Sequence, residues 1–178
     1  LNPTPFTLIG LTLAIFAGFR NNASYERYRE GRQLWGGVLT ATRTLVSQAL
    51  CYGAIDDDSA RHAFVRKVIA FVHALKHQLR GTDPASDLRA LLDDGTHARI
   101  VAARYAPIAI VHELREAFAA RADAGHLADT RLWMLDARLD DLVSMVSGCE
   151  RIASTPIPFS YDVLLHRTIY AYCVLLPF

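Results

Sequence analysis

His73 and His77 have the spacing of a pair of metal ligands. Four residues apart, they would share one face of a helix, and imidazole nitrogen is a common ligand for zinc. The surrounding sequence supplies no third ligand, however, and Phe71, Val72 and Leu75 would give the same helix a buried face. We therefore expect two polar residues on the exposed face of a helix and no metal site.

Two further arrangements could support catalysis. Asp162 and His166 are also four residues apart, so a helix would bring them together, and the Cys149 thiol could meet a basic partner elsewhere in the fold. The chain has no glycine-rich phosphate loop, no GxSxG motif and no HExxH motif, and the acidic run 56–58 is typical of a helix start. The sequence predicts no enzyme and no cofactor, although a helical enzyme using one of these histidine pairs stays open as an alternative.

Composition narrows the class of protein. The chain has 178 residues, of which 52% are hydrophobic, so it can bury a core and is not a disordered chain. Its net charge of +1 argues against a nucleic-acid partner, because nucleic-acid-binding surfaces usually carry a basic excess. The three cysteines form no CxxC pair, which excludes a disulfide scaffold and a thiolate zinc site.

The two ends of the chain are more apolar than its middle. Residues 6–19 carry no charge, although this run of about 14 residues is shorter than the ~20 that span a bilayer. Residues 156–178 are long enough to span but include Asp162, His166 and Arg167, which should face protein or water. We expect the charged groups of 156–178 either to pair with those of 26–30 (Glu26, Arg27, Arg29 and Glu30) or to lie at the membrane edge.

The middle of the chain reads as a series of charged helices, so the predicted fold class is all-α. The first helix should continue through 20–50, and the pair Gly36-Gly37 favours a kink in it. A second helix should begin near Ser59 after the acidic run and end at the turn 81–84. A short helix capped by Ser86 and closed by Asp94-Gly95, a helix over 98–124 bent at Pro107, and a helix over 129–153 should follow.

Leu11, Ile15 and Phe19 form an apolar stripe on the first helix. Steps of four keep the three side chains on one side, drifting by about 40° per step. In an ordinary domain such a stripe packs against a neighbouring helix. If several copies of the helix surrounded an axis, each position would become an apolar ring, and stacked apolar rings form a constriction that gates or filters ions. Arg20, Asn21 and Asn22 would then line the wider mouth below Phe19.

Three long stretches of the sequence resemble bacterial bestrophins: NPTPFTLIG at 2–10, GFRNNASYERYREGRQLW at 18–35 and GCERIASTPIPFSY at 148–161. The resemblance implies a homopentameric ion channel with a membrane pore and a helical cytosolic region. It implies that the second membrane helix lines the pore, with Leu11, Ile15 and Phe19 as its neck. It also implies a second constriction at the cytosolic exit, near Leu127, Thr130 and Arg131.

The same resemblance predicts a division of the chain into three parts. Residues 1–50 would be the pore-lining membrane helix with its cytosolic extension, 51–155 the cytosolic region and 156–178 the third membrane helix, so the first and fourth membrane helices of the family would be missing from this chain. The expected location is the inner membrane, in contact with lipid, and the expected substrates are small monovalent ions, chloride by family or a cation in the bacterial branch. The alternative is a soluble all-α ligand-binding domain.

Overall fold

The computed structural model describes residues 4–55, 57–155 and 159–175, and this part of the chain is all-α, as the sequence predicts. The described helices, in chain order, are α1 (Thr4–Tyr52), α2 (Asp58–Arg80), α3 (Ala85–Arg89), α4 (Asp94–Ala102), α5 (Ala106–Asp123), α6 (Asp129–Ser154) and α7 (Phe159–Leu175). They belong to two compact units. One contains the chain up to Gln33 together with the part from Ile152 onward, and the other is Leu34–Arg151.

Helix α2 has the ends that its sequence predicts, with a different capping residue. The Asp57 carboxylate accepts a hydrogen bond from the Ala60 N–H at 3.0 Å, so Asp57 caps the helix and Ser59 lies inside its first turn. At the other end Gly81 adopts a left-handed conformation with φ of 63°. This reversal lets the Thr82 N–H donate to the His77 carbonyl at 3.0 Å, which satisfies a carbonyl that the helix leaves open.

Pro107 lies at the start of a new helix and does not bend the helix predicted over 98–124. The structure has two helices there, α4 ending at Ala102 and α5 beginning at Ala106, and Pro107 lies in the first turn of α5. Proline suits this position because the first N–H groups of a helix have no partner within the helix. A proline inside one long helix would instead remove a hydrogen bond and clash with the preceding turn.

The predicted caps of the short helix are also corrected. Ser86 lies within α3, and the Asp83 carboxylate accepts from the Ala85 N–H at 2.9 Å at its start. Asp94 and Gly95 do not close that helix but open α4, which is capped by Asp93 accepting from the Thr96 N–H at 3.0 Å. Asp83 lies two residues and Asp93 three residues before the N–H that donates to it, and other acidic residues stand within a few positions of both.

The unit 34–151 has one hydrophobic core to which α1, α2, α5 and α6 all contribute. Its fully buried large side chains include Leu45, Phe71, Leu75, Leu114, Phe118 and Leu139. The rings of Phe64 and Phe118 lie 5.7 Å apart in a tilted arrangement, which joins α2 to α5. Each of these helices presents buried residues every three or four positions, so their packing follows from the helical repeat.

Two glycines in this unit lie where side chains of a neighbouring helix approach the backbone closely. A Cβ on Gly37 would overlap the side chain of Met145, and a Cβ on Gly148 would lie 2.6 Å from Leu34 Cδ2. Helix α1 continues through the Gly36-Gly37 pair where the sequence suggests a kink. The structural role of Gly37 and Gly148 is therefore to let α1 and α6 approach each other closely.

Candidate functional site

The first half of α1 has one face turned toward its own unit. Part-buried residues recur on this face every three or four positions; they include Phe6, Ile9, Leu13, Phe16, Arg20, Ala23 and Arg27. A Cβ on Gly10 would lie 4.0 Å from Tyr172 Cε2, so this face contacts α7. Within this unit, α1 thus packs through one side only of its first half.

The predicted stripe lies on another side of α1 and is exposed. The exposed fractions of Leu11, Ile15 and Phe19 are 59%, 48% and 57%. With 3.6 residues per turn, the stripe is centred about 130° around the helix axis from the part-buried face. It is therefore not the packing surface of this helix against its own chain, which was the ordinary interpretation of the spacing. Large apolar side chains exposed together mark a surface that contacts another molecule or a membrane.

The polar residues just after the stripe divide between the two faces. Asn21 and Asn22 are exposed, in keeping with the mouth predicted below Phe19, whereas Arg20 is part-buried on the packing face. The hydroxyls of Thr12 on α1 and Thr168 on α7 are each bonded within their own helix. Thr12 donates to the Leu8 carbonyl at 2.8 Å and Thr168 donates to the Leu164 carbonyl at 2.7 Å. Such bonds satisfy a hydroxyl without water.

Among the helices that the structure describes, none is both long enough and apolar enough to cross a membrane.

Arg27 holds the end of α6 within the same unit. Its guanidinium donates to the Ile152 carbonyl at 2.8 Å and also to the Thr155 carbonyl. The last carbonyls of a helix lack partners within the helix and carry partial negative charge, so a cation is favoured there. The sequence suggested Arg27 as a partner for Asp162, whose side chain lies outside the described part of the chain. That pairing stays a prediction.

His73 and His77 do face the same way, and they meet a carboxylate. His73 Nδ1 lies 2.9 Å and His77 Nε2 3.0 Å from Asp87 Oδ2, and Lys76 Nζ lies 2.6 Å from the same oxygen. The hydrogen bond from Lys76, then those from the two histidines, hold the pKa of Asp87 well below its usual range. The exposed-face prediction is only partly right, because 13% of the His77 side chain is exposed. Within the described residues no group of His, Cys, Asp and Glu side chains is arranged to hold a metal ion.

A second charged cluster joins α2, α4 and α5. Glu113 accepts from Lys67 at 3.1 Å and from Arg99 at 2.6 Å. Burial by itself would raise the pKa of Glu113, but the hydrogen bonds from Arg99 and Lys67 outweigh burial and lower it. Both this cluster and the one at Asp87 pair their charges internally, which suits structural ion pairs between helices.

The other candidate residues are dispersed. His166 is exposed on α7, and the side chain of its suggested partner Asp162 lies outside the described residues. Cys149 is buried, and burial raises the pKa of its thiol, which keeps it in the unreactive protonated form. A buried, protonated thiol at Cys149 gives the enzyme alternative no support.

The residues predicted for the cytosolic constriction have different environments. Leu127 is only 3% exposed and belongs to the hydrophobic core of the unit 34–151. Thr130 and Arg131 are exposed in the first turn of α6. The constriction stays a prediction, and Thr130 and Arg131 are the two residues of the three that present side chains to solvent.

Sequence reasoning missed Asp87 and the role of Arg27. Asp87 lies ten and fourteen residues from the two histidines, on a separate short helix, and Arg27 lies 125 residues from Ile152. Spacing reveals partners only within one helix, so neither contact has a signal in a single sequence. A tertiary fold was needed to find both.

Comparison with known proteins identifies the family. The model of the family described as bacterial/fungal bestrophin protein matches residues 1–178. The chain is 45% identical to the voltage-dependent anion channel-forming protein RSc3414 of Ralstonia nicotianae, over 100% of this chain and 58% of that protein. It is 40% identical to the voltage-dependent anion channel-forming protein YneE of Escherichia coli, over 98% of this chain and 57% of that protein.

A solved structure agrees with these relatives. The crystal structure of a bacterial bestrophin homolog from Klebsiella pneumoniae superposes with a TM-score of 0.92 at 43% identity, covering 100% of this chain and 66% of that one. The chain thus spans less than two thirds of the length of these relatives. The resemblance seen in the three sequence stretches is confirmed, and the chain belongs to the bestrophin family, in its bacterial and fungal branch.

Proposed function

We propose that this chain forms the pore-lining and cytosolic part of a homopentameric ion channel. The observation that carries the proposal is the exposed apolar stripe of Leu11, Ile15 and Phe19 on the side of α1 that its own unit leaves uncovered. Five copies around an axis would turn this stripe into three stacked apolar rings. Rings of this kind form a narrow constriction that empties of water easily and so controls ion passage.

A closed ring of identical subunits supplies what a single copy lacks. One helix cannot enclose a pore, whereas head-to-tail contacts between copies close into a ring when the rotation fits. The relatives from Ralstonia and Escherichia are named as channel-forming proteins, which favours the same architecture for this chain. The pore-lining part of α1 and residues 156–178 would lie in the membrane, in contact with lipid. We propose that this membrane is the inner membrane of a bacterium.

The substrate class we propose is small monovalent ions. The names of the relatives point to anions, and chloride is the first anion to test. Passive passage through an apolar neck involves no covalent chemistry, and the proposal includes no cofactor and no catalytic residue. The exposed Thr130 and Arg131 would lie near the cytosolic exit, in line with the second constriction that the family resemblance implies.

Ion flux tests the proposal directly. The complete protein is reconstituted in liposomes and the reversal potential is measured under opposed salt gradients, which reports both activity and ion sign. Replacing Leu11, Ile15 and Phe19 together by alanine removes the side chains that narrow the rings, so conductance should rise severalfold over the parent protein. Leu164→Ala is the matched control, because Leu164 is an apolar residue of α7 with 45% exposure and lies off the stripe.

The two outcomes separate a pore from a packing surface. Higher conductance in the triple variant with parental conductance in Leu164→Ala supports the neck. Unchanged flux combined with lower thermal stability of the triple variant would show that the stripe serves packing between helices.

A further inference from the structure

The exposed face of α1 continues beyond Phe19 with polar and charged residues. Asn22, Glu26, Arg29 and Gln33 follow Phe19 in steps of three, four, three and four, and all four are exposed. Alternating steps of three and four average 3.5 residues, close to one helical turn, so these side chains stay on the side that carries Leu11, Ile15 and Phe19. One continuous face therefore changes from apolar to polar below Phe19.

Two of these residues carry opposite charges that the unit does not neutralise. In the described part of the chain, no oppositely charged group lies within ion-pair distance of the Glu26 carboxylate or the Arg29 guanidinium. Arg27, which lies between them in sequence, behaves differently, since it is part-buried and bonded to the end of α6. Two charges thus stay directed outward on the very face that follows the stripe.

The helix fixes the order of these charges along the axis. With a rise of about 1.5 Å per residue, Glu26 lies about 10 Å below Phe19 and Arg29 about 4.5 Å below Glu26. Arg29 therefore lies about 15 Å below Phe19. An ion that moves down this face from the neck comes within the Debye length of about 10 Å at 0.1 M salt first of Glu26 and then of Arg29, so each charge acts on it in turn.

We propose that Glu26 and Arg29 form two adjacent rings of opposite charge that set the balance between cation and anion passage. The inference rests on the proposed function, because only an assembly of several copies around a pore turns each residue into a ring. In a pentamer each ring carries five like charges, and rings of charged side chains are a known means of selecting ions by sign. A substitution that removes the charge of one ring leaves the electrostatic field of the other ring acting on the passing ion.

The two rings predict changes of opposite sign. Glu26→Gln removes the negative ring, so the chloride-to-sodium permeability ratio should rise, by about two- to fivefold for charges acting through water at these distances. Arg29→Gln removes the positive ring, so the same ratio should fall by a similar factor. The double variant should return near the parental ratio. The readout is the reversal potential of the complete protein in planar bilayers under a tenfold sodium chloride gradient.

Two further measurements distinguish the local electrostatic field of the rings from a general effect of net charge or folding. They are a series of salt concentrations and a control variant with the same change of charge elsewhere. Raising the salt to 1 M shortens the Debye length to about 3 Å, so the shifts of both single variants should shrink. Glu116→Gln changes the charge by the same amount on helix α5, where the Glu116 carboxylate faces His112 at 3.3 Å, and it should leave the ratio unchanged.

Each outcome bears on one proposal. Opposite shifts that weaken at high salt support the two rings. Parental conductance with no shift in either variant, with shifts of the same sign, or with an equal shift in Glu116→Gln overturns them and leaves the channel intact. Absence of ion flux in the parent protein itself contradicts the proposed function.

Discussion

Two single residues, Asp87 and Arg27, each join separate helices of this chain. One carboxylate oxygen of Asp87, on the short helix α3, contacts three basic side chains of α2. The Arg27 guanidinium donates to two carbonyls at the end of α6. In both cases one side chain satisfies several groups that would otherwise lack partners. A charge-assisted hydrogen bond is stronger than a neutral one, so these contacts help to fix the positions of the helices that they join.

Asp87 gives the molecule a pH-dependent contribution to stability. Because its pKa is lowered in the folded state, the stabilisation is fully present above the ordinary carboxyl pKa and is lost as the pH falls toward the lowered folded-state value. Asp87→Asn should therefore lower the melting temperature at pH 7, and the difference from the parent should shrink at pH 3. Thermal unfolding at both pH values measures this.

Asp94→Asn is the control for this effect, because Asp94 is an exposed carboxylate in the first turn of α4. It should change the melting temperature less than Asp87→Asn at pH 7. A constant difference between Asp87→Asn and its parent from pH 7 to pH 3 would show that the carboxylate charge is not the source of the stabilisation.

At the scale of elements, α1 has different roles along its length. Up to Gln33 one side packs within its unit and another stays exposed, whereas Val38, Ala41, Leu45 and Ala49 enter the core of the other unit. The same helical repeat thus places one side of α1 against its neighbours in both units, and in the first unit leaves another side exposed. The contact of α1 with α6 in the unit 34–151 depends on glycine, since Gly148 leaves room for the Leu34 side chain.

Gly148→Ala should destabilise the unit 34–151. The new Cβ would meet Leu34 Cδ2 at 2.6 Å and Cδ1 at 3.1 Å, so both methyl groups would have to move. Overpacking costs about 1–3 kcal/mol and alanine recovers about 1 kcal/mol of helix propensity, so we expect a net loss of up to about 2 kcal/mol. Equilibrium unfolding in denaturant measures the difference.

Gly36→Ala offers a matched control on α1. A Cβ on Gly36 meets nothing within 4 Å, so only the gain in helix propensity remains and stability should rise by up to about 1 kcal/mol. Equal effects of Gly36→Ala and Gly148→Ala would mean that close packing does not require glycine at position 148.

At the scale of the whole molecule, the proposed channel requires more than one copy of the chain. Native mass spectrometry of the complete protein in mild detergent should therefore give the mass of five copies, independent of protein concentration in the micromolar range. Removing the apolar stripe by the triple alanine change should leave the five-copy mass in place, because in the proposed pentamer the stripe would face the axis and not the neighbouring copy. A mass of one or two copies for the parent would contradict the pentamer.

The sequence by itself determined the fold class and most helices, because the 3.6-residue repeat of apolar positions and the local capping residues are encoded within single segments. It also identified the family, since the three matching stretches are continuous in the chain. It predicted a bend at Pro107, where the structure begins a new helix. It also misplaced the caps near Ser86 and Asp94, where several acidic residues compete within a few positions. Only the tertiary structure decided which face of α1 is used internally, that Leu127 is a core residue and that His73 and His77 meet Asp87. These depend on contacts between residues far apart in the chain, and spacing along one helix carries no information about them.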